Sequence, residues 1–366
     1  MKIIEIIPQL SSGGGERFTV DICNEMAKRG HEVVLCVLHT LHEGTTGFYL
    51  PQVSEKVRVI SMNKRPGFDL RLFWKVLKLV KQEKPDVLHT HLRGIVYALL
   101  PLLFFVRGLH TVHSEASVEA SEWLSRHIRK WLFRHKRSIP VTISEESHKS
   151  FVEFYGMDAP LIPNGRNVPQ DLVVSEDVKA EMAQYRTSPD TRLIVHLAHI
   201  DKVKRQALLA RVAHRLYEEG YNFSVLFIGR DTDKVYVDEV RREMPPCCHI
   251  LGQRTNPLEY LKEAGAFALC SSYEGLPISL IEALGVGAVP ICTPVGGIVN
   301  VITDGENGLL STDITEDSYL EALRRYLDTP SENIALISQQ AKESYKPFSM
   351  TECAAKYETL FLSTIK

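Results

Sequence analysis

The sequence contains 366 residues, of which 44% are hydrophobic and 24% are charged, and its formal net charge at pH 7 is −2. These proportions are typical of a folded soluble chain, and the length is sufficient for two domains. They exclude an intrinsically disordered or fibrous protein.

The charge is divided unevenly along the chain. Residues 1–165 contain 22 of the 43 Lys and Arg and 17 of the 45 Asp and Glu, which leaves 21 basic and 28 acidic residues for 166–366. The first half, at +5, suits an anionic surface or acceptor better than the second half, at −7. Solvated charged faces would give the same counts, so both interpretations stay open.

Cysteine usage and the first residues indicate the compartment. Seven cysteines contain no CxxC pair or Cys/His ladder that would suggest a metal site, and most lie in apolar segments, as buried thiols do in a reducing cytosol. The start MKIIEIIPQL has no basic leader, long apolar core or cleavage site. We therefore expect a cytoplasmic protein without a signal peptide, a metal or a cofactor.

Apolar strand patterns alternate with amphipathic helix patterns throughout the chain. The strand patterns are, in the first half, IIEII, EVVLCVL, VRVIS, DVLHT, LHTV and IPVTIS, and in the second half RLIVHLA, FSVLFIG, HILG, AFALC and AVPICT. This alternation predicts an α/β protein with two doubly wound, Rossmann-like domains whose parallel sheets face each other across a cleft.

Glycines and the end of the chain mark the organisation of these domains. Gly30 and Gly220 each stand between a helix and a strand, where a left-handed cap is required. The domain boundary is predicted near IPNGRNVP, and the last segment, SMTECAAKYETLFLSTIK, is an amphipathic helix that can pack on either domain.

The loop after the first strand, SSGGGERF, contains three glycines, Gly13, Gly14 and Gly15, before a predicted helix. It does not fit GxGxxG, and the second strand ends in VLHT without an acid for a ribose, so a nicotinamide enzyme is disfavoured. The glycines would let the backbone approach a ligand closely, although a tight turn without a ligand would use them as well.

A basic amphipathic segment, WLSRHIRKWLFRHKR, occupies 123–137 and contains six Lys or Arg. Its apolar residues can share one helical face, which would either lie on an anionic membrane or pack on the protein's own sheet. They are Trp123, Leu124, Ile128, Trp131 and Leu132. The apolar run IVYALLPLLFFV is too short to span a bilayer.

The segment SSYEGLPISLIEALGVGAVP has two glutamates, Glu274 and Glu282, on either side of a helix start predicted near Pro277. Backbone amides at a helix start attract a phosphate. Two acids at the same place must therefore bind some other group.

Together these motifs resemble the GT-B glycosyltransferases of family four, which are retaining sugar transferases with a Glu-x7-Glu element. The resemblance runs nearly end to end and rests on the order of SSGGGERF, RGHEV, TVHS, VTISEES, IPNG, KRQALL, YEGLPISLIEALGVGAVPICTPVGG and DGENGLL. It implies a donor nucleotide-sugar bound by domain 166–348. It also implies a saccharide acceptor bound by domain 1–165, which helix 349–366 completes. If segment 123–137 binds a membrane, a lipid-linked saccharide is the natural acceptor.

The resemblance assigns roles by position. Glu274 would accept hydrogen bonds from the transferred sugar, Glu282 from the ribose, and Lys204 would pair with the diphosphate. The full set of donor residues that it implies is Gly14, Gly15, His199, Lys204, Arg254 beside the nucleobase, Glu274, Gly275, Leu276, Pro277, Ile278 and Glu282.

Three residues are assigned to catalysis, His113, Lys204 and Glu274, and two to the acceptor, His113 and Ser144. The implied reaction retains the anomeric configuration, needs no metal and favours a UDP-sugar over a GDP-sugar. It would belong to polysaccharide or glycoconjugate biosynthesis, with a cytoplasmic enzyme that can bind the inner face of the membrane. No nucleic-acid partner is expected.

Two positions depart from the family pattern. His199 stands where the family usually has Arg, and Asn300 replaces the acid usual in GGxxE. Imidazole is only partly cationic near neutral pH, so the diphosphate site would be weaker, pH-dependent or assisted by Lys202. Two other functions stay open: a sugar-nucleotide epimerase or hydrolase of the same fold, and a non-catalytic nucleotide-sugar binder.

Overall fold

The computed structural model of the chain describes residues 1–113, 123–231 and 233–365, and it describes Leu124 by its backbone alone. It contains two six-stranded sheets in which every strand pair is parallel. The two compact units of the chain are Met1–Asn167 with Phe348–Lys366, and Val168–Pro347. Each unit holds one sheet.

The first sheet has the strand order β3-β2-β1-β4-β5-β6. Its strands are β1 Lys2–Ile7, β2 Glu32–Val37, β3 Val57–Ser61, β4 Val87–His91, β5 Gly108–Val112 and β6 Ser138–Thr142. The helices of this unit are Gly14–Lys28, Arg71–Glu83, Gly94–Tyr97, Leu99–Phe104, Trp123–Arg134, Glu145–Tyr155 and Met350–Ile365, with a 3-10 turn at Leu50–Gln52.

The second sheet repeats this topology, with the order β12-β11-β10-β7-β8-β9. Its strands are β7 Arg192–Leu197, β8 Phe223–Ile228, β9 Cys248–Gly252, β10 Ala266–Leu269, β11 Val289–Cys292 and β12 Leu309–Leu310. The helices are Glu176–Ala183, Gln206–Glu218, Lys234–Glu243, Pro257–Ala264, Ile278–Val286, Glu316–Asp328 and Ser331–Ser344, with 3-10 turns at Gly296–Asn300 and Lys346–Phe348.

These strands form parallel sheets because their residues, most of them apolar, are buried on both faces. In β4 and β5 every residue is buried, and helices cover the sheet on both sides, as parallel sheets require. The predicted two-domain α/β architecture and all the predicted strands are confirmed. The strand β12 was not predicted, because two residues are too few to show a strand pattern.

The glycine caps are confirmed as well. Gly30 has φ +89° and Gly220 has φ +88°, the left-handed conformation that ends a helix before a strand. The final helix, Met350–Ile365, packs on the helix Gly14–Lys28 in the first unit, and it buries Tyr357 in the same core as Phe18.

The basic helix Trp123–Arg134 divides its apolar residues between core and surface. Leu132 is fully buried, whereas Trp123 is 72% and Trp131 is 45% exposed. The run IVYALLPLLFFV forms the two short helices Gly94–Tyr97 and Leu99–Phe104. Among the helices of the described residues, none has the length and apolar character needed to cross a bilayer.

Candidate functional site

In the second sheet, β7 and β10 are neighbours, and the strand order runs away from them in opposite directions. Such a switch point leaves a crevice at the carboxyl ends of the strands, where open α/β sheets bind ligands. The loop 198–205 follows β7 and the loop 270–277 follows β10. The predicted donor residues His199, Lys204 and Glu274 lie in these two loops.

Lys204 and Glu274 form an ion pair at this switch point. Lys204 Nζ lies 2.6 Å from Glu274 Oε1, with 24% of the lysine side chain and 7% of the glutamate side chain exposed. Ser271 Oγ donates to the same carboxylate oxygen at 2.7 Å. A half-buried cation and an oriented carboxylate thus lie side by side at the crevice of the sheet.

Hydrogen bonds from backbone amides fix the loop that carries Lys204. Asp201 Oδ1 accepts from the amides of Val203 and Lys204, at 2.9 and 3.0 Å. The amide of Ser272 donates to the Val203 carbonyl at 2.9 Å, which joins this loop to the one after β10. The position of the ammonium group therefore depends on both loops.

The loop that carries Glu274 is held from its other side by two glycines. The Gly297 amide donates to the Gly275 carbonyl at 2.6 Å. Gly296 has φ +53°, and a Cβ atom there would lie 1.7 Å from the Glu274 carbonyl oxygen. Only glycine fits this contact, so Gly296 belongs to the site. Ser271 belongs to it through its bond to Glu274. The sequence analysis assigned neither residue a role.

The predicted helix start after Glu274 is present. Pro277 is the N-cap of the helix Ile278–Val286, and the first bonds of that helix run from the amides of Leu280 and Ile281 to the Pro277 carbonyl. The amides of Ile278 and Ser279 precede these bonds and point out of the helix end, where an anion is favoured.

Glu282 and the residues before Pro277 occupy the same segment. Glu282 lies within the helix and is 5% exposed, and Glu274 is 6% exposed. Gly275 and Leu276 connect Glu274 to the cap. Two nearly buried acids therefore lie on one short stretch of chain, before and after a helix start.

His199 is half-buried in the loop after β7, and a buried pair positions that loop. Gln206 Nε2 donates to the His199 carbonyl at 2.7 Å and lies 3.0 Å from His196 Nε2. Burial lowers the pKa of His196 to about 4, so its imidazole is neutral. Its Nδ1–H donates to the Ala268 carbonyl at 2.9 Å, and Nε2 accepts from Gln206. Asn300, the second departure from the family pattern, and Lys202, the lysine expected to assist His199, are both exposed.

Arg254 has contacts within the protein. Its guanidinium donates to Glu181 at 2.7 Å, to the Tyr260 hydroxyl at 3.1 Å and to the Leu251 carbonyl at 2.5 Å. These bonds hold the helix Glu176–Ala183 against the helix Pro257–Ala264. They give Arg254 a structural role, and its assignment to the nucleobase stays a prediction.

In the first sheet the switch point lies between β1 and β4. Gly14 is the first residue of the helix Gly14–Lys28, which begins after β1 and whose N-cap, Gly13, makes no side-chain capping bond. A Cβ atom at Gly15 would lie 3.4 Å from Cγ of His113. The structure thus brings the start of this helix to the predicted histidine.

Ser144 caps a helix. Its hydroxyl accepts from the Ser147 amide at 3.1 Å, and the Ser147 hydroxyl accepts from the Ser144 amide at 3.0 Å. This reciprocal capping box starts the helix Glu145–Tyr155 and explains why a serine stands here. The proposed contact of Ser144 with an acceptor stays a prediction.

One group of metal-ligand side chains within the described residues is close enough to share an ion, namely Glu5, His89 and His91. His91 Nε2 and His89 Nδ1 lie 2.7 and 2.9 Å from Glu5 Oε2. The contact with His91 is a hydrogen bond, whereas His89 Nδ1 lies close to the carboxylate without a hydrogen bond among the described residues. No sequence pattern predicted this cluster, because its members come from two strands that are distant in the chain.

Comparisons with known proteins agree with this architecture. The family model "Glycosyltransferase Family 4" matches residues 12–170, and the model "Glycosyl transferases group 1" matches residues 177–344. The crystal structure of Anabaena HepE in complex with UDP and glucose has a TM-score of 0.83 at 17% identity, covering 99% of this chain and 100% of that one.

Two relatives align with nearly the whole chain. N-acetyl-alpha-D-glucosaminyl L-malate synthase of Bacillus anthracis is 21% identical over 97% of this chain and 95% of its own length. An alpha-1,4-N-acetyl-D-galactosaminyltransferase of Campylobacter jejuni, named for a PP-undecaprenol-linked saccharide, is 25% identical over 96% of this chain and 95% of its own length. Because the two family models together match most of the sequence, the chain belongs to the family 4, group 1 glycosyltransferases of GT-B fold.

Proposed function

We propose that this chain is a retaining glycosyltransferase that moves a sugar from a nucleotide-sugar to a saccharide or lipid-linked acceptor. The observation that carries the proposal is the Lys204–Glu274 ion pair of 2.6 Å, which the chain places just before the helix start at Pro277. A nucleotide-sugar has an anionic diphosphate between two groups that carry hydroxyls. The segment offers a cation and backbone amides to the diphosphate, and carboxylates to the hydroxyls.

The proposed donor contacts follow from this chemistry. The Lys204 ammonium and the amides of Ile278 and Ser279 bind the diphosphate, because both favour negative charge. Glu274 accepts from hydroxyls of the transferred sugar, and Glu282 accepts from the ribose. UDP is the first nucleotide to test, because the related HepE structure contains UDP and glucose.

The proposed reaction exchanges one bond at the anomeric carbon for another on the same face. The bond to the diphosphate oxygen breaks, a bond to an acceptor hydroxyl oxygen forms, and the hydroxyl proton passes to the departing phosphate. Negative charge grows on the diphosphate as its bond loosens. Lys204 and the helix-start amides stabilise that charge and so lower the barrier.

The donor can be identified before any acceptor is known. Purified protein is heated with a panel of UDP-, GDP- and ADP-sugars, and each is also scored for slow hydrolysis in the absence and presence of EDTA. We expect one UDP-sugar to raise the melting temperature and to be hydrolysed slowly in both conditions. If no nucleotide-sugar raised the melting temperature, the proposal would be contradicted.

The same assay separates the alternative functions. Fast hydrolysis or epimerisation of the donor, unchanged by any saccharide or lipid-linked saccharide, would favour the epimerase or hydrolase. Binding without any turnover would favour a non-catalytic binder. Lys204→Ala is the variant to compare, with Lys179→Ala as its control, because Lys179 is an exposed lysine of the same unit that pairs with Glu176 at 2.7 Å.

The acceptor is proposed to be lipid-linked and presented at an anionic membrane surface on the cytoplasmic side, in polysaccharide or glycoconjugate biosynthesis. Trp123 and Trp131 are exposed on one helix that also exposes Arg126 and Arg134. Aromatic and basic side chains together favour the boundary of an anionic bilayer. The PP-undecaprenol-linked saccharide in the name of the Campylobacter relative supports the same class of acceptor.

Vesicle sedimentation tests this surface. We expect the protein to bind vesicles rich in phosphatidylglycerol and not vesicles of phosphatidylcholine, with binding weakened by salt. Trp131→Gln should reduce binding, whereas Trp74→Gln, which changes a tryptophan 68% exposed on another helix, should not. Equal binding by both variants would show that the helix Trp123–Arg134 does not form the membrane-binding surface.

A further inference from the structure

A line of three hydrogen-bonded side chains runs from the core of the first sheet to the predicted histidine. Glu5 in β1 accepts from His91 Nε2 at 2.7 Å, and His91 Nδ1 lies 3.0 Å from His113 Nε2. Glu5 and His91 are fully buried, whereas His113 is half-buried at the carboxyl end of β5. The line therefore joins a carboxylate without solvent access to a side chain at the edge of the sheet.

Packing holds the two imidazoles in place. The Phe18 ring contacts both edge-on, with centroids 6.0 Å from His91 and 5.5 Å from His113. On another side, His113 meets Gly15, where a Cβ would approach its ring to 3.4 Å. The ring orientations are thus fixed by neighbours on the helix Gly14–Lys28.

The charge state at one end of the line determines the proton positions along it. An ionised Glu5 can only accept, so His91 carries its proton on Nε2. A neutral His91 then has its lone pair on Nδ1, and His113 must donate Nε2–H to it. A neutral His113 consequently has its own lone pair on Nδ1.

We infer that Glu5 and His91 are positioning residues that fix the ring and the tautomer of His113, because the line of hydrogen bonds commits His113 Nε2–H to His91. The inference rests on the proposed function, because it takes His113 to lie beside the sugar and the acceptor hydroxyl. Buried carboxylates fix imidazole tautomers in the same way in other enzymes. Neither Glu5 nor His91 needs to touch the substrate.

The neighbouring branch of the network provides a matched control. His89 Nε2 bonds to Thr111 Oγ1 at 2.8 Å, and Thr111 Oγ1 bonds to the Tyr357 hydroxyl at 2.8 Å. Tyr357→Phe therefore removes a fully buried polar group from the same cluster without touching the line from Glu5 to His113. If the cluster only supports the fold, Glu5→Gln and Tyr357→Phe should affect activity alike.

Nitrogen-15 NMR of histidine-labelled full-length protein tests the tautomer directly. In the wild type we expect His113 as the Nε2–H form, with the resonance assigned by its loss in His113→Asn. In Glu5→Gln, where the amide can accept or donate, we expect a shift toward a mixture of tautomers, and in Tyr357→Phe no change. A wild-type His113 in the Nδ1–H form, or an unchanged tautomer in Glu5→Gln, would overturn the inference. Stoichiometric zinc in the purified protein would also overturn it, because a metal would replace the hydrogen bonds at Glu5.

Kinetics then separate this inference from the proposed function. Glu5→Gln should lower kcat of sugar transfer about tenfold to a hundredfold, as loss of a supporting group commonly does, with unchanged affinity for the free nucleoside diphosphate. In Tyr357→Phe, kcat of sugar transfer should stay within about twofold of the wild-type value, because Tyr357 lies outside the line from Glu5 to His113. If no transfer is found, the proposed function fails, but the NMR result still decides whether Glu5 controls the His113 tautomer.

Discussion

The two sheets share one topology, but their switch points contain different chemistry. Between β7 and β10 the charged groups lie in loops beyond the strands, where the Lys204–Glu274 pair is partly exposed, and the imidazole within β7, His196, is neutral. Between β1 and β4 the polar groups lie within the strands, where Glu5 and His91 are fully buried. One region presents charge to a ligand, and the other keeps charge inside the core.

This difference shows what the fold determines and what the residues determine. Doubly wound topology creates a crevice at the ends of the central strands in both units. At the second crevice, glycines and short loops bring a cation and a carboxylate together. At the first crevice, the buried Glu5 carboxylate can act only through His91, the histidine to which it is hydrogen-bonded. The variants below are ordered from the largest expected effect to the smallest.

Gly296→Ala should damage the second switch point most. Its Cβ would lie 1.7 Å from the Glu274 carbonyl, at a φ of +53°, so the loop must move or the backbone must strain. We expect a loss of about 3 kcal/mol or more of stability, measured by denaturant unfolding. Gly305→Ala is the control, because it has φ +79° with open space and should cost only about 1 kcal/mol. Equal losses in both variants would show that the contact with Glu274 is unimportant.

Acid should affect the two sheets in different pH ranges. Burial lowers the pKa of His196 from 6.5 to about 4. Its neutral form thus contributes stability above pH 6.5 that is lost as the pH falls to about 4, a loss of about 3 kcal/mol. Burial opposes ionisation of Glu5, but the charge of the nearby His89 and the hydrogen bond from His91 outweigh it and lower the pKa from 4.5 to about 2. Its contribution is lost only as the pH falls from 4.5 to about 2.

Pulsed hydrogen exchange can follow both sheets in one experiment. As the pH falls from 7 to 4, we expect amides of β7 to lose protection before those of β1. His196→Asn retains a donor for the Ala268 carbonyl but cannot titrate, so it should flatten the pH dependence of β7 between pH 6.5 and 4. Simultaneous loss in both sheets, or an unchanged pH dependence of β7 in the variant, would contradict these assignments.

Lys204→Ala should reduce sugar transfer without unfolding the protein. The loss of a charge-assisted contact with a phosphate costs about 1.5 to 3 kcal/mol, or roughly tenfold to a hundredfold in kcat/KM. Lys179→Ala should leave kcat/KM unchanged. Unchanged kinetics in Lys204→Ala would remove this lysine from the site.

His199→Arg should have the smallest effect of the series. If His199 replaces the arginine of related enzymes, a permanent charge should retain or raise activity above neutral pH, by up to about tenfold. His214→Arg, at an exposed histidine on the helix Gln206–Glu218, is the control. Identical pH profiles of His199→Arg and the wild type would show that this side chain does not contact the diphosphate.

The sequence predicted the fold well because most strands of the two sheets are apolar runs and the helices are periodic. It also predicted the helix start at Pro277, since proline and the following apolar spacing are local signals. Contacts between distant strands were not predictable. The burial of Glu5 beneath His91 and the approach of Gly296 to Glu274 depend on tertiary packing that no local pattern encodes. Ser144 illustrates the opposite case, because its capping bond is local, yet the sequence analysis assigned it only a contact with the acceptor.

The central claim is that the segment around Pro277 binds the two ends of a nucleotide-sugar through different acids. Calorimetric titration of Glu274→Gln and Glu282→Gln with the free nucleoside diphosphate tests it most directly. Because the ribose remains in this product and the transferred sugar does not, Glu282→Gln should weaken binding by about 1.5 to 3 kcal/mol. Glu274→Gln should bind it nearly as the wild type does. An equal loss of affinity in both variants would contradict the assignment of one acid to each end of the donor.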